Sequence, residues 1–404
     1  MHILLVHRYY WPDTPAYAKM LHIMAKDYVS RGHRVTVFST QPCYNGNYLE
    51  HPAPAYEIVD GVEIFRTPLL RESKKTRIRR ALNVVIFCLS LIVHCFRRIR
   101  TYDLMSVASF PPVVMGMTAR FICLFSRSKY LYHCQDLYPE TVVASGLLKK
   151  KWLESLSRSI DLKNCRKAVA VVVLSEDMKT TVLNRDPKLD NVHVINNFII
   201  DQFDETVSIS DDLKASSESF RVLFAGNLGR FQNLDKLMDA AHRLADQSEI
   251  QFWFVGDGAL KNHLVEASGT LLNRTVFFRP FLPLKEVMVV ISESQLGIVS
   301  LNPGVVYCAF PSKTMSYLES GCRLLLLVEP ESELAGFVSD NELGTVCKHA
   351  TAESLVDAVL SEFEQWQQGG QPARSIQQVG RENFGQNVIL DKWSQLLCLI
   401  ERRN

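Results

Sequence analysis

At 404 residues the chain exceeds one typical hydrophobic core and suits two domains. With 47% hydrophobic and 22% charged residues, its composition excludes a disordered or fibrous chain. The net charge of +2 conceals an asymmetry: residues 1–200 hold 28 Lys and Arg against 16 Asp and Glu, a net of +12, and the rest hold 17 against 27, a net of −10. The basic residues flank apolar runs and are not interleaved with an aromatic platform, which speaks against nucleic acid and for an anionic membrane surface.

Met1-His2 runs straight into Ile3–Val6, an apolar run of the kind that makes a buried parallel strand. No secretory leader is expected, and ten cysteines without a Cys-x-x-Cys pair predict reduced thiols, a cytoplasmic protein and no zinc site. Tyr9–Tyr17 is the loop after this strand, where Asp13 either faces a ligand or belongs to a proline-stiffened turn. Ala18–Ser30 has helical periodicity ending near Gly32, Arg34–Ser39 is the second strand, and Gln41–Pro54 reads as a long surface loop.

Arg71–Arg100 holds the apolar run Ala81–Phe96 between two basic flanks. Its 16 residues, at about 1.5 Å each, fall short of the roughly 30 Å hydrocarbon core. Asn83 and His94 interrupt it further, so a spanning helix is not expected. It reads as a helix in the membrane interface or as a core helix with basic ends, and the basic first half favours the interface. Leu147–Lys163 is a second basic amphipathic segment for the same surface.

Leu104–Ala108 and Tyr130–His133 read as strands, ending in Ser109-Phe110-Pro111-Pro112 and Cys134-Gln135-Asp136. Asp136 is the carboxylate of this half best placed for a substrate, or else it caps the following turn. Ala168–Leu174 is a strand with Ser175 capping the next helix, Val192–Ile195 leads into Asn196-Asn197, and Glu205–Ser219 is a polar linker.

Beyond the linker, Arg221–Ala240 is an apolar strand entering a loop with Gly226, Gly229 and Arg230, then an amphipathic helix. Ile250–Gly258 is a strand ending in a Gly-Asp-Gly turn at Gly256. Leu296–Leu301 is a buried strand broken at Asn302-Pro303-Gly304, and a helix opens after Pro311-Ser312-Lys313 and stops at Gly321. All three loops follow strands, so they line one edge of one sheet, where open α/β sheets bind ligands. The last, with its lysine and backbone N–H groups, suits an anion, or is an ordinary connection with a surface lysine. No spacing matches a metal site or a hydrolase triad. Asn383–Arg403 is a long helical pattern.

The ordered set HILLVHRYYWPDTPAYAKM, RGHRVTVFSTQP, QDLYPE, VVVLSEDM, HVINNFIIDQF, GNLGRFQN, VGDG and PSKTMSYLESG resembles the family 4 glycosyltransferases of the GT-B fold. Within them it is similar to bacterial enzymes that build O-antigen, capsule and exopolysaccharide. The resemblance implies an α/β protein of two Rossmann-like domains whose parallel sheets face across a cleft. Residues 1–200 would form the acceptor- and membrane-facing domain, 201–380 the nucleotide-sugar domain, and 381–404 a helix returning to the first.

The implied reaction is transfer of a sugar from a nucleotide-diphosphate sugar, a UDP-sugar favoured, to a lipid-linked or growing glycan. It proceeds with retained configuration, without a metal or other cofactor, at the inner face of the cytoplasmic membrane. Asp136, Arg230 and Lys313 are the expected catalytic residues. Gly226, Asn227, Gln232, Gly256, Gly304, Ser312, Ser316 and Glu319 are expected to bind the nucleotide, and Asp13 and Gln135 to sit on the donor or acceptor loops. Two departures from the family pattern stand out. Asn227 and Gln232 occupy places where an arginine and a lysine are common, and the paired glutamates of the Glu-x7-Glu motif fall on Cys308 and Ser316, leaving Glu319, Glu331 or Glu333 as substitutes. The competing readings are a nucleotide-sugar epimerase of the same fold and an inactive membrane-bound scaffold. A dinucleotide-dependent dehydrogenase is disfavoured, because no Gly-x-Gly-x-x-Gly opens either half.

Overall fold

The computed structural model describes residues 1–13, 15–43, 52–71, 77–200, 209–216, 218–369 and 373–402, with the side chain of residue 77 left aside. Thr14, residues 44–51 of the long loop, residues 72–76 of the basic flank with Lys74 and Lys75, and residues 205–208 and 217 of the linker lie outside the described residues. The chain forms two compact units: Met1–Pro139 with Leu148–Asn196 and Ile389–Asn404, and Glu140–Leu147 with Asn197–Val388.

In chain order the elements up to the linker are β1 (His2–Val6), α1 (Ala16–Ser30), β2 (Arg34–Thr40), β3 (Tyr56–Val59), β4 (Val62–Thr67), α2 (Arg77–Arg97), β5 (Leu104–Ala108), α3 (Val114–Phe125), β6 (Lys129–His133), α4 (Glu140–Ala144), α5 (Lys151–Lys167), β7 (Ala170–Val173), α6 (Glu176–Arg185) and β8 (Val192–Val194). The eight strands make one sheet in the order β3-β4-β2-β1-β5-β6-β7-β8, parallel except for the β3–β4 hairpin at its edge. β1 and β7 are buried along their whole length, as strands covered on both faces must be, and apart from His2 their sequences are continuously apolar. Ser175 caps α6 by accepting from the Met178 N–H at 3.1 Å, as its sequence position predicted.

The helix α2 is longer than the apolar run suggested, 21 residues against 16, because Arg77–Arg80 and Arg97 join it. At about 1.5 Å per residue it reaches the roughly 30 Å of a bilayer core, and by length and composition alone Ile78–Arg97 is able to span one. Its inner face argues otherwise. Phe87 and Leu91 are fully buried, buried Asn83 exchanges two 2.9 Å hydrogen bonds with the Leu70 backbone, and His94 lies 2.7 Å from the Tyr102 hydroxyl. A spanning helix would forfeit all of these contacts. The outer face is nonetheless apolar, with Ile78, Leu82, Val85, Leu89, Val93 and Phe96 exposed.

The remaining elements are β9 (Phe220–Ala225), α7 (Leu234–Arg243), β10 (Ile250–Val255), α8 (Lys261–Ser268), β11 (Val276–Arg279), α9 (Leu284–Ser292), β12 (Leu296–Ser300), α10 (Lys313–Glu319), β13 (Arg323–Leu327), α11 (Glu333–Asp340), β14 (Gly344–Val346), α12 (Ala352–Gln367), α13 (Ala373–Phe384) and α14 (Gln386–Arg402). Their six strands form a wholly parallel sheet in the order β11-β10-β9-β12-β13-β14, which turns back on itself between β9 and β12. One apolar cluster fills each face of this sheet. From Ile389 onward α14 belongs to the first unit, where Trp393 is buried edge-on to the His133 ring and Arg31 pairs with Asp391 at 2.8 Å.

Candidate active site

The reversal of strand order between β9 and β12 is a topological switch point, where the connections leave in opposite directions and open a crevice at the strand ends. The crevice is widened by a side chain. β12 pairs with β9 only at Leu296↔Val222 and Gly297↔Leu223. Beyond that the fully buried Tyr317 of α10 takes over the ladder: its hydroxyl accepts from the Ala225 N–H at 3.0 Å and donates to the Leu223 carbonyl at 3.2 Å. Gly297 makes room for it, since any Cβ there would lie 2.7 Å from the Tyr317 ring. Replacing Tyr317 by Phe keeps the wedge and strands the Ala225 N–H, which is expected to cost about 1–3 kcal/mol in denaturant unfolding. A midpoint unchanged from wild type would remove Tyr317 from this role.

Lys313 stands one helical turn before Tyr317 and reaches the same place. Its ammonium lies 3.5 Å over the centre of the Phe224 ring and donates to the Gln232 Oε1 at 3.0 Å. Among the described residues no carboxylate pairs with it. Such a cation–π contact contributes roughly 2 kcal/mol when desolvated, less than the several kcal/mol that burying an ammonium costs. Burial therefore wins, and the pKa falls to about 7. An anion at this point would reverse the balance.

The loop after β9 supplies the other cation. Arg230 is exposed, and its carbonyl accepts from the Asn302 side chain at 2.8 Å. The same Asn302 accepts from the Asn233 N–H at 3.1 Å, so the first residues beyond β12 pin the β9 loop in position. Asn227 and Ser312 are exposed, whereas Ser316 is half-buried. Among the described residues the Ser316 hydroxyl has no protein partner.

Several expected ligand residues have other work. The Gly256 N–H donates to the Arg279 carbonyl at 3.0 Å, and a side chain at Gly256 would overlap the Gly226 carbonyl. Gly256 thus lets two loops touch. The Gly226 N–H is likewise bonded to the Val255 carbonyl at 2.9 Å, but the space where its side chain would point is empty. The Gly304 N–H is held by the Glu329 carboxylate at 2.5 Å. Glu319, expected as a substitute ribose ligand, is buried and takes the Arg381 guanidinium at 2.7 and 3.3 Å, which corrects that expectation: its carboxylate ties α10 to α13. Cys308 is buried with its thiol on the Gly304 and Val305 carbonyls, and Glu331 accepts from the Tyr307 hydroxyl.

In the first unit, Asp13 is buried and its carboxylate accepts from the Cys43 N–H at 3.1 Å. Gln135 lies 2.9 Å from the Nε2 of buried His133, whose Nδ1 meets the Tyr17 hydroxyl at 2.9 Å. Asp136 is half-buried just beyond β6, and burial raises its pKa to about 6. Phe224, Asn302, Tyr317 and Glu329 were not singled out as site residues from the sequence. Gly297, a glycine inside an otherwise apolar strand, was the available signal for Tyr317.

Two family descriptions match the chain: glycosyl transferase 4-like domain over residues 17–197 and glycosyl transferases group 1 over residues 219–364. The probable glycosyltransferase WbjE of Pseudomonas aeruginosa is 24% identical over 345 residues, covering 82% of this chain and 83% of that one. The putative colanic acid biosynthesis glycosyl transferase WcaI of Escherichia coli K12 is 22% identical over 349 residues, covering 83% and 85%. The structure of HepE from Anabaena in complex with UDP superposes with a TM-score of 0.66 at 16% identity, covering 98% of this chain and all of that one. The chain belongs to the glycosyltransferases, with a 4-like domain followed by a group 1 domain on the GT-B fold, and is an enzyme of that class.

Proposed function

We propose that this glycosyltransferase moves a sugar from a nucleoside-diphosphate sugar, a UDP-sugar favoured, to a lipid-linked or growing glycan in bacterial surface polysaccharide synthesis. The observation that carries the donor half is Lys313, an ammonium at a switch point with an aromatic ring, an amide and, among the described residues, no carboxylate partner. The complex of HepE with UDP and the name of WcaI support the nucleotide and the polysaccharide. In the reaction, the bond from the anomeric carbon to the diphosphate oxygen breaks with its electron pair leaving on the diphosphate. The acceptor oxygen bonds to the same carbon with retained configuration and passes its proton to the departing phosphate. Lys313 and Arg230 neutralise the leaving charge, so that no metal is needed for the transfer. Ser316 meets the ribose, and Asp136 the transferred sugar or the acceptor.

The test of the donor assignment is binding. UDP, GDP and dTDP are compared by thermal shift, and UDP is expected to give the largest rise in Tm. Because free Lys313 has a pKa of about 7 and a bound diphosphate raises it, binding at pH 8 takes up a proton and weakens as pH rises from 7 to 9. Calorimetry in buffers of different ionisation enthalpy reads that proton directly. Uptake of none at pH 8 would detach Lys313 from the phosphates.

The acceptor half rests on the outer face of α2 and α3. Ile78, Leu82, Val85, Leu89, Val93 and Phe96 form one exposed stripe on α2, and Val114, Met117, Phe121, Leu124 and Phe125 another on α3. The stripes meet where the Phe96 ring lies 6.3 Å from Phe121 and 5.7 Å from Phe125. Exposed arginines at 79, 80, 97, 100 and 127 flank this surface. An apolar strip of this length with basic ends fits an anionic bilayer, in which a lipid-linked acceptor resides.

A further inference from the structure

We propose that the carboxyl edge of the first unit's sheet carries a sugar-stacking platform, in which Tyr9 and Phe110 take the apolar face of an acceptor pyranose while Gln135 and Asp136 take its hydroxyls. The inference rests on the glycosyltransferase reading and adds to it the chemistry by which the acceptor is held.

The first sheet also reverses its strand order, between β1 and β5, so its crevice lies between the loops that follow those two strands. Tyr9, three residues beyond β1, and Phe110, two beyond β5, stand at this point with ring centres 6.2 Å apart and planes 26° from parallel. Both are half-buried, so neither is sealed into the core. The pair is braced from below: the His7 ring packs edge-on to Tyr9 at 5.9 Å and to Tyr17 at 4.8 Å, and the Tyr9 N–H reaches His7 Nδ1 at 3.2 Å. The buried Arg8 guanidinium lies 5.3 Å from the Tyr9 ring.

The next strand along the edge is β6, in register with β5 through Ala108↔His133 and the 2.9 Å bond from the Ser109 N–H to the His133 carbonyl. Two and three residues beyond that carbonyl come Gln135 and Asp136, at the end of the strand that neighbours the one leading to Phe110. Among the described residues no donor is paired with the Asp136 carboxylate.

A pyranose has a face of polarised C–H bonds and a rim of hydroxyls. The C–H face matches the negative face of an aromatic ring, and the hydroxyls match a carboxylate and an amide. A nucleotide base would also stack here, but its diphosphate would meet Asp136, a carboxylate, while the Arg8 guanidinium beside Tyr9 is buried. Charge therefore selects a neutral sugar over the donor's nucleotide.

The test uses the full chain and the methyl glycosides of glucose, galactose, mannose and N-acetylglucosamine in saturation-transfer NMR, with the UDP-induced rise in Tm recorded in parallel. At least one glycoside is expected to show saturation concentrated on the protons of one ring face. Tyr9→Leu and Phe110→Leu should weaken its binding about fivefold each, and Tyr9→Phe should retain it. Should a leucine variant not fold, the protein labelled with 3-fluorotyrosine decides: the Tyr9 fluorine resonance, identified by its loss in Tyr9→Phe, must move when the glycoside is added. No glycoside signal, equal binding in both folded leucine variants, or an unmoved Tyr9 resonance would each overturn the platform. A UDP response that survives such a result leaves the donor assignment standing, so the two failures are distinguishable.

Discussion

Lys313→Ala is expected to lower turnover by roughly a hundredfold or more, with Arg230→Ala losing a similar factor, since each removes a charge from the developing diphosphate anion. The two variants should part in stability. Arg230 is exposed, and losing its side chain should leave the Tm within error of wild type. Lys313 is held with its charge unpaired, so its removal should raise the Tm, most clearly in Lys313→Met, which keeps the stem over Phe224 and discards the ammonium. The pH dependence carries the same sign. The folded pKa of about 7 lies below the unfolded value of about 10.4, so the unfolded chain binds more protons between those limits. This group's contribution to stability accordingly rises with pH across that window and is flat in Lys313→Met. Initial rates of nucleoside diphosphate release, with melting curves at pH 7 and 9, read both effects. Near-normal turnover in both alanine variants would sink the clamp. A fall in both activity and Tm in Lys313→Met would make the lysine a structural residue.

The elements that carry Lys313 were legible because parallel strands buried on both faces are written as mainly apolar runs: Ile3–Val6, Leu104–Ala108, Phe220–Ala225 and Leu296–Ser300. The loops after them could be named for the same reason. What could not be read was which loop atoms were already bonded. Gly256 and Gly304 look in sequence like backbone donors to a ligand, yet Arg279 and Glu329, 23 and 25 residues away, have taken their N–H groups. Glu319 looked available until α13 brought Arg381 to it from 62 residues along the chain. Such pairings are set by long-range packing, and local pattern carries no trace of them. The hairpin β3–β4 escaped for a different reason, since its edge strand is four residues long and no position of it is fully buried. The apolar face of α3 escaped because a twelve-residue helix rich in Met, Ile and Phe reads as core, and only burial separates Leu124, 73% exposed, from Ile122 at 3%.

Replacing Arg79, Arg80, Arg97 and Arg100 together by Gln is expected to weaken binding to phosphatidylserine- or phosphatidylglycerol-containing vesicles by roughly a thousandfold. Each basic residue near an anionic surface contributes about 1 kcal/mol, and four such contributions approach three decades in affinity. All four are exposed on the ends of α2 or just beyond it, so the fold should survive. Arg98 is left in place because its guanidinium sits 4.5 Å from the Phe65 ring and takes part in packing. Wild-type binding should also fall as salt is raised, while a residue persists at high salt from the apolar stripes, which salt does not screen. That residue should vanish when Leu89 and Phe121 are both replaced by Asp, each being exposed on its own stripe. Neutral phosphatidylcholine vesicles supply the control, binding weakly and without salt dependence. The same quadruple variant should keep its UDP-induced rise in Tm, because its changes lie in the first unit and the proposed nucleotide site in the second. Tight vesicle binding by the variant, or wild-type binding indifferent to salt and lipid charge, would leave α2 as a core helix whose outer face meets something other than a membrane.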